Sequence, residues 1–306
     1  MKKILIFGCT GFFGTHFLNS LDPKKYDLSV VTRKKYTPKN LKSLTYNQIF
    51  NGEIFSKHKK FDEVFDFSSN VSVDDFINTP QDMFLENIRI PILNLEVLNK
   101  LNFEGRFNFI STDRATHEIS DNMMEEIVLD NDPYGASKLI SEIIVKYNFN
   151  LKNIETSVIR FPNLYGSNQS SKQFIPTIIN QIKENNNKEI LIGSSEGSRN
   201  YLHVNDAVEA LNLCLESKIK FKNICFSGKN ESLSNIIEII SDLYKKNYGK
   251  NLKFKVKKNT FARNSYKMPP MELEDKLYRQ TYNWKPKTNL KMGLEDLLKN
   301  IGTKNE

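Results

Sequence analysis

Tyr134 and Lys138 stand four residues apart in Pro133-Tyr134-Gly135-Ala136-Ser137-Lys138, a stretch that opens a helix and puts both side chains on one face. A phenol ionises near ~10 and is a poor base at neutral pH. An ammonium about 4 Å away, at an effective dielectric of about 20, favours the phenolate by roughly 4 kcal/mol, or about 3 pK units. Burial acts the other way, so the cation must outweigh desolvation. Such a pair can move a proton on and off a substrate oxygen. Tyr-x-x-x-Lys also arises as an ordinary surface pair, so its surroundings decide its meaning. Upstream, FNFISTDRATHE (107–118) drops from an apolar strand into Ser111, Thr112, Asp113 and Arg114. That cluster reads as a proton-transfer group, a substrate clamp or a polar loop, and the residues alone leave the three open.

A second feature binds rather than reacts. Gly8-Cys9-Thr10-Gly11-Phe12-Phe13-Gly14 lies between the first strand and its helix. Glycines there let the backbone turn tightly and approach a pyrophosphate, while the helix N-terminus offers N–H donors and a positive dipole. The turn points to a dinucleotide held by Gly8, Thr10, Gly11, Phe12, Phe13 and Gly14. At the end of the second strand a carboxylate would hold the ribose hydroxyls of NAD. Here stand Val31, Thr32, Arg33, Lys34 and Lys35, and no acid occurs over 29–50. A guanidinium pairs with a 2′-phosphate that a carboxylate would repel. The expected cofactor is therefore NADP(H), with Arg33 the main contact and NAD the alternative.

The elements that must position these groups alternate along the chain. Strands are expected over 2–7, 27–32, 63–67, 107–111 and 155–160, with helices over 15–21, 86–99 and 134–147 between them. Alternation of this kind predicts a parallel sheet covered on both faces, an α/β protein with a Rossmann-type doubly wound sheet. After Gly166 the rhythm changes. Helices over 174–183, 204–215 and 233–244, strands over 189–192 and 223–226, and a short helix in the tail 283–301 describe a smaller C-terminal α/β lobe. The expected division is 1–165 for the cofactor domain and 166–306 for the substrate lobe, with about 198–225 returning to the first.

Composition bounds the rest. The chain has 306 residues and a formal charge of +8, carried by 36 Lys and 8 Arg spread along its length. Phosphate and base readers lean on clustered Arg, so nucleic acid is not an expected partner. No apolar run approaches the ~20 residues of a membrane span. The N-terminal apolar stretch 4–7 is too short for a signal peptide and reads as a buried strand. Cys9, Cys214 and Cys225 are scattered and lack metal-ligand spacing, which predicts a reducing cytoplasm, no disulfide and no metal centre.

Taken together, the motifs resemble the extended short-chain dehydrogenase/reductase family, in its NAD(P)-dependent nucleotide-sugar epimerase/dehydratase branch. The likeness covers almost the whole chain. It starts at Gly8, Gly11 and Gly14, passes Asn87 in ENIRIPILNLEVL, and takes in Thr112 with Tyr134 and Lys138. It continues through RFPNLYG (160–166), SRNYLHVNDAVEAL (198–211) and NWKPKTNLKMGLEDLL (283–298). The resemblance implies that Tyr134 exchanges a proton with a sugar hydroxyl or ketone while hydride passes to or from a nicotinamide. It implies that Lys138 lowers the Tyr134 pKa and binds the nicotinamide ribose, that Thr112 bonds the reacting oxygen, and that Asn87 belongs to the cofactor site. Asn163 and Arg199 fall where the family contacts the diphosphate of a nucleoside diphosphate sugar. His203 is read as a packing residue. The second lobe departs from the family pattern at Asn200 and Asn205. Dimerisation through the helices at 86–100 and around Tyr134 is expected from the likeness, although Ile90, Leu93 and Val97 would serve equally as core.

The reaction type turns on the two residues after Thr112. Dehydratases of the family carry an Asp-Glu pair there, an acid for the leaving hydroxyl and a base for the C5 proton. Here Asp113 is present but Arg114 comes next, and a guanidinium does not act as a base. An inverting dehydratase branch has Ser-Thr-Asp-Lys, which Ser111 to Arg114 resembles, but its tyrosine comes much sooner. Tyr134 lies 22 positions after Thr112, as in epimerases and reductases. With NADP(H) expected, the favoured reading is reduction of a 4-keto sugar nucleotide in deoxysugar and surface-polysaccharide biosynthesis. A 4-epimerase comes next, then a 4,6-dehydratase. A non-catalytic NADP-sensing protein is the other class, disfavoured because Tyr134, Lys138 and Thr112 are all kept.

Overall fold

The run KKILIF forms β1 (Lys2–Phe7), and its last four residues are buried. Burial on both faces is what a strand central to a parallel sheet requires, and it explains an apolar run without alternation. The computed structural model describes residues 1–36, 41–55, 60–71, 78–115, 133–170, 173–184, 189–219, 221–257 and 279–299. The chain divides into two compact units, Met1–Phe161 with Ala210–Phe226, and Pro162–Glu209 with Ser227–Glu306.

In the first unit, β1 is followed by α1 (Phe12–Ser20), β2 (Tyr26–Thr32), β3 (Lys42–Thr45) and α2 (Tyr46–Phe50). Then come β4 (Glu63–Asp66), α3 (Pro80–Lys100), β5 (Arg106–Thr112), a 3-10 turn (Asp113–Ala115), α4 (Pro133–Leu151) and β6 (Thr156–Phe161). With β10 (Asn223–Cys225) the strands make one seven-stranded sheet in the order β10-β6-β5-β4-β1-β2-β3. Every pairing in it is parallel. The expected Rossmann-type sheet is therefore present. One face is packed by Phe7, Val64, Phe107, Phe109 and Val158 against Leu95 and Leu98 of α3 and Val145 and Phe149 of α4. That packing seats α4, and with it Tyr134 and Lys138, beside the carboxyl ends of β4 and β5.

Two elements of this first unit, β3 and α2, were absent from the sequence expectation. β3 (KSLT) buries none of its residues fully and so lacks an apolar signature. α2 comes directly after it, started by Thr45, whose side chain accepts from the Gln48 N–H while the Gln48 side chain accepts from the Thr45 N–H. α3 begins at Pro80 rather than at 86. Proline at the first helical position lacks only an N–H that the helix could not use.

The second unit is built separately. β7 (Asn163–Tyr165), β9 (Ser198–His203) and β11 (Lys229–Ser232) form a three-stranded sheet, with β7 parallel and β11 antiparallel to β9. β8 (Ile190–Ile192) pairs in parallel with β12 (Phe254–Val256). Of these strands, β7, β9, β11 and β12 were also absent from the sequence expectation. α5 (Phe174–Glu184), α7 (Leu233–Tyr248) and α8 (Leu290–Lys299) contribute Ile175, Ile178, Ile236, Ile240, Leu294 and Leu298 to its core. α6 (Val204–Glu216) leads from β9. Residues 198–209 were expected with the first unit but count in the second, because β9 pairs with β7 and β11. Asp206 anchors the segment before α8, accepting from the N–H groups of Lys287 (3.1 Å) and Thr288 (3.0 Å). Trp284 Nε1 donates to the Asp206 carbonyl at 3.2 Å. Residues 300–301, part of the expected tail helix, lie outside the described residues.

Candidate active site

β1 ends at Phe7 and the chain turns at Gly8, whose φ of +71° lies in the left-handed region. A Cβ there would meet the Phe67 carbonyl carbon at 2.7 Å, and one on Gly14 would lie 2.3 Å from the Gly8 oxygen. No side chain larger than hydrogen fits either place. Gly11 caps α1 with no side-chain bond to the helix, so the first-turn N–H groups of Phe12, Phe13 and Gly14, which a helix cannot satisfy internally, face the turn. This is the chemistry a pyrophosphate fits. The rings of Phe12 and Phe13 pack edge-on against His16 and against Phe67 and Phe161, leaving their backbone for binding. Thr10 is exposed on the turn.

Asn87 is spent inside the protein. Its oxygen accepts from the Asn70 N–H (2.7 Å) and Ser69 Oγ, and its nitrogen donates to the Asn70 carbonyl (3.0 Å) and Ser137 Oγ (3.1 Å). It fastens the segment after β4 to α4 next to Tyr134, whose carbonyl accepts from Ser137 Oγ at 2.8 Å. Arg33 is exposed beyond β2, with Nη1 3.7 Å from Glu86 Oε1 of α3.

Lys138 is buried, and its Nζ donates to the Ile110 carbonyl of β5 at 2.8 Å and lies 4.2 Å from the Phe109 ring centroid. Burial pushes its pKa down from the ordinary 10.5 to about 8, while the buried carboxylates of Asp66 and Glu142 oppose the fall. Asp66 ends β4, accepting from Asn94 Nδ2 (2.7 Å) and the Ser68 N–H (2.8 Å), and its own pKa is raised by burial. Tyr46 of α2 extends this chain, donating to Asn94 Oδ1 at 2.6 Å. The unfolded chain binds the Lys138 proton more tightly, so stability rises with pH between about 8 and 10.5. The wild type should gain roughly 3 kcal/mol across that window relative to Lys138→Met. Urea unfolding of both proteins at several pH values measures this, and parallel pH curves would refute it.

Thr112, the last residue of β5, donates from Oγ1 to Asp113 Oδ1 at 3.0 Å and accepts from the Arg114 N–H at 3.3 Å. Both Thr112 and Asp113 are buried. The turn carrying them packs on the start of α4, where the Arg114 guanidinium carbon lies 5.2 Å from the Tyr134 ring centroid. Thr112, Asp113, Tyr134 and Lys138 are thus gathered at the carboxyl end of β5, on the same side of the sheet as the glycine turn after β1. Ser111 was expected to close the strand but lies inside it. Its hydroxyl donates to Glu142 Oε1 at 2.6 Å.

Sequence reading missed Glu142. It is almost fully buried in α4 and holds Arg160 of β6 bidentately, through Nε (3.0 Å) and Nη2 (2.7 Å), with Lys146 at 3.9 Å. Its place four residues beyond Lys138 was the available signal.

Asn163 and Arg199 belong to the second unit. Asn163 Nδ2 donates to the Asn200 carbonyl at 3.1 Å, and Arg199 sits opposite Glu231 in the β9–β11 register. His203 is buried with its ring edge-on to Tyr165, centroids 5.2 Å apart, and its Nδ1 accepts from the Asn205 N–H. That is packing, as read from the sequence. Cys9, Cys214 and Cys225 are buried thiols, and burial pushes the Cys9 thiol up to about 11. Among the described residues no helix is long and apolar enough to cross a membrane.

A glycine turn at the mouth of a parallel sheet, with a Tyr-x-x-x-Lys pair beside the next strands, defines an α/β protein of the dinucleotide-binding class. The chain belongs to the NAD dependent epimerase/dehydratase family, whose model matches residues 4–224. A dTDP-D-glucose 4,6-dehydratase of Dictyostelium discoideum is 26% identical over 265 residues, covering 77% of this chain and 60% of that protein. A putative UDP-glucose 4-epimerase of Methanocaldococcus jannaschii is 25% identical over 262 residues, 78% of this chain and 81% of its own length. Among solved structures, the UDP-glucuronic acid 4-epimerase of Bacillus cereus, in complex with UDP-glucuronic acid and NAD, superposes with a TM-score of 0.76 at 19% identity, covering 98% of both chains.

Proposed function

We propose that this protein reduces a 4-keto nucleoside diphosphate sugar with NADPH, in the making of deoxysugars for surface polysaccharides. The observation that carries the reading is the flanking of Tyr134 by Arg114, a cation where elimination at C5 needs a base. The glycine turn would hold the pyrophosphate, and Arg33 the 2′-phosphate. When bound, the nicotinamide supplies hydride to the carbonyl carbon. Tyr134 donates its proton to the keto oxygen, which the Thr112 hydroxyl orients. Lys138 supplies the positive charge that makes the phenol a ready acid, and Asp113 contacts the sugar through the Thr112 turn. Asn163 and Arg199 hold the diphosphate of the substrate. The exposed Leu93, Ile143, Tyr147 and Leu151 of α3 and α4 suit pairing with a second copy, while Val97 belongs to the core. Three buried cysteine thiols accord with a cytoplasmic enzyme.

Incubation with NADPH and a panel of 4-keto nucleotide sugars tests the reading. Stoichiometric loss of NADPH absorbance is expected. Interconversion of two nucleotide sugars without net cofactor change would assign a 4-epimerase instead, and cofactor binding without turnover of any panel member would point to a sensor. Arg33→Ala should weaken NADPH binding about 10- to 100-fold, the loss of a charge-assisted contact, and leave NADH binding nearly unchanged. Fluorescence titration of both cofactors checks this, and equal losses would remove Arg33 from the 2′-phosphate site.

A further inference from the structure

Two cations bear on Tyr134, Arg114 over its ring and Lys138 four residues further along α4, and they differ in kind. Lys138 is engaged at the Ile110 carbonyl and over the Phe109 ring, and its charge is lost as pH rises through about 8. Arg114 comes from the turn after β5, half-buried, with its guanidinium carbon 5.2 Å from the centroid of the Tyr134 ring. A guanidinium keeps its charge throughout the working pH range. At that distance a cation over an aromatic ring is attracted to its π face, and more so once the phenolate spreads negative charge into the ring. The Arg114 N–H bond to Thr112 Oγ1 fixes the turn that presents the guanidinium.

We propose that Arg114 is a positioning residue for Tyr134, its guanidinium seated on the ring so that the phenolate is favoured over the phenol. The proposal rests on the reading of Tyr134 as the proton-transfer group and deepens it. Among the described residues, the turn that carries Arg114 also holds Asp113, and the helix of Tyr134 holds Lys138, on which Asp66 of β4 and Glu142 of α4 act. Asp113 opposes the effect, and Lys138 shares it below about pH 8. Above that pH, Arg114 alone among these side chains sustains it.

The test tracks Tyr134 ionisation directly, as near-ultraviolet tyrosinate absorbance of the protein minus that of its Tyr134→Phe variant. Repeating the subtraction in an Arg114→Gln background should move that ionisation up by about one pH unit, the order expected of one charge at this range. Arg114→Lys should restore part of the shift. The alkaline limb of kcat/KM for keto-sugar reduction should move with it, because the acid form donates the proton. Circular dichroism confirms that each variant is folded. An unshifted Tyr134 ionisation in Arg114→Gln overturns the proposal. So does a raised KM with an unchanged pH profile, which would make Arg114 a substrate contact. The absorbance titration needs no substrate, so loss of the reductase reading leaves it able to decide the role of Arg114.

Discussion

Tyr134→Phe is expected to lower turnover by about three orders of magnitude or more, within the range that general acid–base groups contribute. The substitution removes one oxygen. The ring stays for Arg114 to stack on, Ser137 Oγ still has the backbone carbonyl of residue 134, and Lys138 keeps its bond to Ile110. Neither the glycine turn nor Arg33 is touched, so affinity for cofactor should be preserved. Steady-state kinetics together with cofactor titration separate the two effects. Turnover within tenfold of wild type would remove Tyr134 from the chemistry, and a parallel collapse of cofactor binding would assign it a structural role.

Glu142→Ala should be the most destabilising of the single changes considered, by about 3–5 kcal/mol. The carboxylate is buried and satisfies Ser111, both guanidinium contacts from Arg160, and, more distantly, Lys146. Truncation leaves a largely buried arginine without its anion, which costs far more than the pair contributes in net terms. A Glu142→Leu, Arg160→Met double variant should therefore recover most of the loss, because apolar packing replaces both charges. Urea unfolding measures the series. A loss below about 1 kcal/mol for Glu142→Ala would mean that water reaches Arg160. Because Glu142 also supports the charge of Lys138, the double variant should remain folded yet show a lowered lysine ionisation.

The sheet was legible because parallel strands buried on both faces must be written as apolar runs, as in KKILIF and EVFDF, with helices between them. The glycine turn was legible because two of its positions admit no side chain, and the Tyr134–Lys138 pair because helical spacing is arithmetic. What escaped depends on partners distant in sequence. KSLT is too polar to stand out as a strand, yet Gln48 three residues after Thr45 was a readable helix start. SRNYLH was given no strand range of its own, since its pairing with β7 and β11 is tertiary. Strand parity places Phe107, Phe109 and Ser111 on one face, which would have set Ser111 among the core residues and apart from Thr112. Nothing local announces that Arg160 meets Glu142, or that Lys138 reaches across to Ile110. The apolar stripe 90, 93 and 97 carried two meanings, and it divides between them: Val97 is core and Leu93 is exposed.

The division of the chain bears on how it is made. The first sheet takes one of its two outer strands, β10, from residues 223–225, so in a nascent chain that has completed β6, Val158, Ile159 and Arg160 are paired with β5 but have no neighbour on their other side. Until some sixty more residues have left the ribosome, β6 stays an open edge able to recruit other chains. The stretch that delays closure encodes most of the second unit's three-stranded sheet. Gene fragments cut at the apparent end of the cofactor domain would carry that open edge permanently, a hazard that arises from the order of synthesis rather than from any weakness in the finished fold.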